Sequence, residues 1–153
     1  MKKVLLAVDE TKGSKAALKT FLDLFSCMRP DTVILLNVQQ FGGKSVLHDR
    51  ISDTDISVLL EVLKGTEVQE KLDKKSKDIL ESCKKLLEDN GVKGIKTVIK
   101  AGHPAEEILK TVKEEGAGMI IMGSKGKRMH TVLLGSISRE VVNSSEVPVL
   151  IAR

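Results

Sequence analysis

Met119-Ile120-Ile121-Met122-Gly123-Ser124-Lys125-Gly126 is four apolar residues without polar alternation running straight into a glycine-containing loop. An unbroken apolar run of that length reads as a strand covered on both faces. Helical spacing resumes from about Met129 to Asn143, with Gly135-Ser136 inside it. Strand, glycine turn and helix in that order is one half of a βαβ unit, and the same unit recurs outward along the chain. Val4-Leu5-Leu6-Ala7-Val8, Val33-Ile34-Leu35-Leu36-Asn37-Val38 and Pro148-Val149-Leu150-Ile151-Ala152 are further apolar strands. Ile95 to Ile99 is flanked by lysines and reads as a strand nearer an edge. Thr11 or Lys12 to about Cys27 has helical periodicity and stops at Arg29-Pro30-Asp31. A long helix is expected from about Asp55 to Asp89, with a break at Gly65-Thr66 and an end at Gly91. Gly102-His103-Pro104-Ala105-Glu106-Glu107 opens another helix, with Pro in the first turn and acids where the helix dipole is positive. Between the second strand and the long helix, Gln39 to Thr54 shows little periodicity. Five apolar strands joined by helices imply right-handed crossovers. The expected fold is α/β, a single open three-layer sandwich with a five-stranded parallel sheet and helices on both faces.

Length and composition agree with one domain over residues 1–153. Lys and Arg number 25 against 21 acids, a net of +4 that is spread along the chain and argues poorly for nucleic acid. Aromatics are 2% of the residues, three Phe and no Tyr or Trp, so a base-stacking single-strand binder is disfavoured. No apolar run approaches the roughly 20 residues of a spanning helix. The apolar run at Val4–Val8 is too short for a secretory leader. These features point to a cytoplasmic protein without membrane or nucleic-acid partners. Cys27 and Cys83 show no metal-binding spacing with His48, His103 or His130, and both read as buried thiols.

In an open α/β sheet, ligands bind beyond the carboxyl ends of the strands, where strand order reverses. Asp9 ends the first strand, Asn37-Val38-Gln39 the second, and Met122-Gly123-Ser124-Lys125-Gly126 the fourth. Gly123 and Gly126 lack Cβ atoms, so a ligand can approach the main chain closely. Lys125, Lys127 and Arg128 add positive charge, and the helix beyond aims free N–H groups at the same place. Gly135-Ser136 offers a second close approach and a hydroxyl. Together these describe a phosphate cradle; the plainer reading is that the glycines make a tight turn and let the helix pack. Asp9 can accept from a ribose hydroxyl or serve the start of the first helix, and one role does not exclude the other. Val38 can offer main-chain N–H and C=O to a purine edge. Neither a Walker A loop nor a dinucleotide fingerprint is present.

These segments together resemble the universal stress protein family. The likeness rests on Val4–Asp9 with Thr11, Ser14 and Ala17-Leu18, on Gly102–Ile108, on Met119–Gly126, on Leu133–Ser138 and on Val147–Ile151. The resemblance implies an adenine-nucleotide-binding fold that is usually a homodimer, joined here through the last strand, Val149, Leu150, Ile151 and Ala152. The family divides into members that bind ATP and members that do not, and ATP, with Mg²⁺, is the ligand expected here. The phosphates would meet Gly123, Gly126, Gly135, Ser136 and the Ile137 main chain, with Lys125 beside them. Asp9 would hold ribose, and Val38 and Met122 would frame adenine. Members that bind ATP carry nine residues between the second and third of those glycines. Here Lys127 to Leu134 are eight. In a helix one deletion turns the downstream residues by about 100°; in a loop it is absorbed, which is the reading favoured here.

The chain is therefore expected to be a regulatory ATP-binding protein of the stress response. No catalytic residue and no side-chain metal site is assigned, because Asp9 is the one obvious acid on the rim and hydrolysis needs further groups. Slow ATP turnover remains compatible with the sequence. The alternative is a nucleotide-free dimer that acts as a protein-interaction module. An adenylating enzyme is disfavoured, since no Ser-Gly-Gly-x-Asp-Ser loop or His-x-Gly-His pair occurs near Asp9-Glu10-Thr11-Lys12-Gly13-Ser14.

Overall fold

The computed structural model describes residues 2–27, 29–40, 58, 61–62, 64–124 and 134–153. Strands β1 (Lys3–Ala7), β2 (Thr32–Gln39), β3 (Ile95–Ala101), β4 (Ile120–Gly123) and β5 (Val149–Ala152) form one sheet in the order β3-β2-β1-β4-β5. Every pairing is parallel, with Leu5 opposite Ile34 on one side and Ile120 on the other. Helices α1 (Lys12–Leu24), α2 (Glu67–Asp89), α3 (Pro104–Glu115) and α4 (Ser136–Ser144) complete the described elements.

Alternation along the strands divides the core into two layers. Val4, Leu6, Val33, Leu35 and Ile121 face α1 and α2, where Ala17, Leu18, Phe21, Leu80, Cys83 and Leu87 meet them. Leu5, Ile34, Leu36, Ile120 and Met122 face α3 and α4, against Ala105, Ile108, Val112 and Val141. The central strands are thus apolar on both faces because both faces are covered. Burying a Leu such as Leu5 or Leu6 contributes roughly 1.5–3 kcal/mol.

Several boundaries differ from expectation. The first helix stops at Leu24, and Cys27, beyond it, is exposed rather than buried. The long helix begins afresh at Glu67, where Gly65 takes φ +79° and the Thr66 hydroxyl accepts from the Gln69 N–H. Gly135-Ser136 does not lie inside a helix. Gly135 is the N-cap of α4 and Ser136 its first residue, because extended backbone at Gly135 (ψ 158°) precedes the first helical turn. The edge position expected of β3 is observed.

Candidate functional site

Strand order reverses between β1 and β4, so the rim formed by the carboxyl ends of β1, β2 and β4 is where a ligand is expected. Asp9 follows β1. Its Oδ1 accepts from the Thr11 N–H (2.8 Å), the Thr11 hydroxyl (2.5 Å) and the Ser14 hydroxyl (2.7 Å). Its own N–H donates to Ser14 Oγ at 2.7 Å. Asp9 therefore organises the start of α1, a helix whose N-cap, Thr11, makes no side-chain cap bond of its own. Among the described residues Oδ2 receives no hydrogen bond, which leaves that oxygen as the one suited to a ligand. The Asp9 charge reaches Cys83, whose thiol is pushed up chiefly by burial and further by that carboxylate. Cys83 is accordingly a core thiol and no nucleophile.

Main-chain directions at the ends of β4 and β2 follow from the ladder. Val8 N–H donates to Leu36 C=O, so Leu36 and, two residues on, Val38 face β1. Gly102 N–H donates to Gln39 C=O, which confirms that Gln39 faces β3. The next rung toward β1 would run from Val38 N–H to Val8 C=O. That carbonyl instead accepts from the Asn37 carboxamide at 2.8 Å. β1 then turns away at Asp9. Among the described residues, the Val38 N–H and C=O are left without a ladder partner.

Gly123 is different. The Ala7–Met122 pairing directs its N–H to Ala7 C=O. Its carbonyl accepts from the Ser138 hydroxyl at 3.0 Å. A Cβ on Gly123 would lie 2.6 Å from the Gly13 main chain, so the glycine exists to let β4 touch the start of α1. The plainer of the two readings, close packing, accounts for this residue. Ser124 continues the clasp: its N–H donates to Ala152 C=O at 2.8 Å and its C=O accepts from Gly135 N–H at 2.9 Å. The Gly135 amide is thereby used as well. The first intrahelical bond of α4 is Arg139 N–H to Gly135 C=O. The N–H groups of Ser136, Ile137 and Ser138 have no partner among the described residues, as at the start of any helix.

The side chains of Val38 and Ile137 pack against the same apolar cluster that contains Met122, on the α3–α4 face. The structure thus brings Val38, Met122 and Ile137 to one face, and Asp9 to the turn after the central strand. Lys125 and Gly126, with Lys127, Arg128, His130 and the shortened spacing before Gly135, lie outside the described residues, as does His48. His103 is the N-cap residue of α3 and its Nε2 stands 3.5 Å from Glu140 of α4. Shallow hollows also occur among the described residues. One of about 260 Å³ lies between the start of α1 and α2, beside Asp9, Glu10 and Asp78. One of about 250 Å³ lies between the carboxyl ends of α3 and α4.

Reading the sequence placed Asn37 at the rim end of the second strand but gave it no role, and it did not single out Gly13 or Ser138 there. One signal existed. Asn37 is a polar residue in a strand covered on both faces, and a buried carboxamide must find a partner. A second polar group, Gln39, is tied to α2 through Asp73 (2.9 Å) and Ser76 (3.1 Å). Among the described residues no group of three or more His, Cys, Asp and Glu could hold a metal, and no helix is long and apolar enough to cross a membrane.

Comparison with known proteins places this architecture. The chain is 35% identical to the universal stress protein MJ0577 of Methanocaldococcus jannaschii, over 99% of this chain and 94% of the relative. The solved structure of MJ0577 superposes with a TM-score of 0.76 over the same shares of each chain. A universal stress protein family protein from Arabidopsis thaliana, solved with AMP bound, is 20% identical with a TM-score of 0.66, covering 99% of this chain and 91% of that one. A universal stress protein in complex with cAMP is 19% identical with a TM-score of 0.65, covering 99% and 97%. The model of the universal stress protein family matches residues 1–153 in full. With the five-stranded parallel sheet and its two helical layers, that match means that the chain belongs to the universal stress protein family.

Proposed function

We propose that this protein binds an adenine nucleotide, ATP with Mg²⁺, at the rim of β1, β2 and β4 and acts as a stress-response regulator. The observation that carries the reading is the pair of main-chain groups at Val38, a donor and an acceptor side by side on one strand edge. Adenine presents the complement: N1 accepts and the 6-amino group donates. The apolar side chains of Val38 and Met122 suit the faces of the ring. Asp9 Oδ2 accepts from a ribose hydroxyl. The amides of Ser136 and Ile137, at the positive end of α4, receive phosphate oxygens. Gly126 leaves room for the phosphates, and Lys125 adds a cation to them. Gly123 contributes space at the turn, and Gly135 sets the start of the helix. Mg²⁺ would be held by phosphate oxygens and water, a usual arrangement for that ion. AMP and cAMP in the two solved relatives share adenine and ribose with ATP. They support the base and sugar part of the reading.

The partner of this chain is a second copy, joined through β5. Val149, Leu150 and Ile151 are only partly covered on this edge strand, whose outer main chain can pair. Sedimentation should give twice the chain mass, and replacing Leu150 with Lys should lower it.

Mass spectrometry of the denatured, freshly purified protein tests the nucleotide directly, together with melting in MgATP. Released adenine nucleotide, or a melting temperature that rises with MgATP, is expected. Neither released nucleotide nor a shift at millimolar MgATP overturns the reading and leaves the nucleotide-free dimeric interaction module in its place.

A further inference from the structure

We infer that Asn37 is a positioning residue for base recognition: its side chain occupies the Val8 carbonyl and so keeps the Val38 N–H open to a purine edge. The inference rests on the nucleotide reading above and adds the residue that makes it possible. In a regular parallel ladder Val38 N–H would close the next rung on Val8 C=O. Val8 already completes the preceding rung through its own N–H to Leu36. The Asn37 Nδ2 donor, 2.8 Å from Val8 O, replaces the missing rung. Both partners are satisfied: the carboxamide is buried and needs an acceptor, and the Val8 carbonyl needs a donor. The rung that is lost frees the Val38 N–H, two residues beyond the last β1–β2 pair at Ala7 and Leu36, and the Val38 C=O beside it is left over because β1 turns away at Asp9. Adenine matches that order of groups. Guanine sets a carbonyl against the Val38 carbonyl and an N–H against the Val38 N–H, so both contacts are repulsive and the open rung selects a 6-aminopurine.

The test uses the whole chain and two readouts. Without ligand, ¹⁵N-detected amide exchange compares Val38 with Leu36, whose N–H lies in the ladder. Using the ratio of the two rates cancels global opening. In the natural protein Val38 should exchange at least about tenfold faster than Leu36, and Asn37→Val should reduce that ratio about tenfold as the rung closes. A protected Val38 in the natural protein overturns the inference, and that measurement stands even if the variant does not fold. With ligand, Asn37→Val should weaken MgATP about tenfold and leave inorganic tripolyphosphate unchanged. Equal loss for both, or no loss for MgATP, means that Asn37 only supports the fold and overturns the inference. If the natural protein binds no MgATP, the nucleotide reading fails by itself, and the exchange ratio still decides what Asn37 does to the ladder.

Discussion

At the carboxyl end of β4 the main chain is used up, whereas at the carboxyl end of β2 a donor and an acceptor are left over. Gly123 and Ser124 spend their groups on Ala7, Ser138, Ala152 and Gly135. Val38 keeps its N–H because Asn37 takes the Val8 carbonyl that would have engaged it, and its C=O because β1 turns away at Asp9. Both ends lie on the same rim, one strand apart on either side of β1. The difference teaches that a glycine at a strand end can mark where two backbones touch. Here Gly123 meets Gly13. Open main-chain groups arise where a strand outlasts its neighbour, whatever side chain stands there.

The sharpest way to break this contrast is at the closed end. Gly123→Ala forces a Cβ to within 2.6 Å of the Gly13 main chain, where no flexible side chain can yield. We expect a loss of about 2–3 kcal/mol in urea unfolding, with or without nucleotide. A stability equal to the natural protein would return Gly123 to a purely ligand-facing role. The turn after β1 comes next. Asp9→Ala removes one acceptor oxygen that serves three donors, for about 1–2 kcal/mol. Asp9→Asn keeps an acceptor there and should retain most of that stability. If nucleotide affinity nevertheless falls in Asp9→Asn, the second oxygen is the one facing ribose.

A smaller effect is expected at Ser138. Removing its hydroxyl frees the Gly123 carbonyl and should cost about 1 kcal/mol. Nucleotide affinity should barely change, since the α4 amides stay in place. Ser136→Ala, by contrast, should leave unfolding unchanged, because Ser136 is exposed, and weaken MgATP measurably by calorimetry, because the hydroxyl that would join the amides at the phosphates is lost.

The least effect belongs to the edge far from α4. The Lys100 ammonium, hydrogen-bonded at 2.9 Å, holds the Glu114 carboxyl below the usual carboxylate range. The same bond raises Lys100. Glu114 thus adds stability above its unfolded-state pKa and loses it as pH falls through the lower folded value. Lys100 adds stability below its unfolded-state pKa and loses it as pH rises through the higher folded value. Both groups are largely solvated, so Glu114→Gln should only slightly flatten the acid and alkaline limbs of a melting curve. A melting temperature that drops by many degrees would show that the β3 edge matters more than the rim.

The layers of the fold can be read residue by residue. Apolar runs such as Val33–Leu36 report a strand covered on both faces, and Gly65-Thr66 reports a helix that restarts. Helical spacing continues through Gly135-Ser136, so periodicity puts the pair inside a helix. Only the clasp of Ser124 on Gly135 decides that the helix begins there. Cys27 reads as buried for a related reason: periodicity does not say where a helix frays.

Of the rim, Asp9, Val38 and Met122 are legible as strand ends, since a residue's place in a βαβ unit is local information. Which main-chain groups remain open there is not. That depends on how far β1 runs beside β2, on an Asn side chain reaching across to Val8, and on Gly13 meeting the distant Gly123. The chain alone determined the elements, their parallel arrangement and the end of the sheet at which the proposed site lies, because hydrophobic period and turn residues act over a few positions. Tertiary packing alone decided which amides the site has to offer, because each hydrogen-bonding group serves the first partner that the assembled sheet brings within reach.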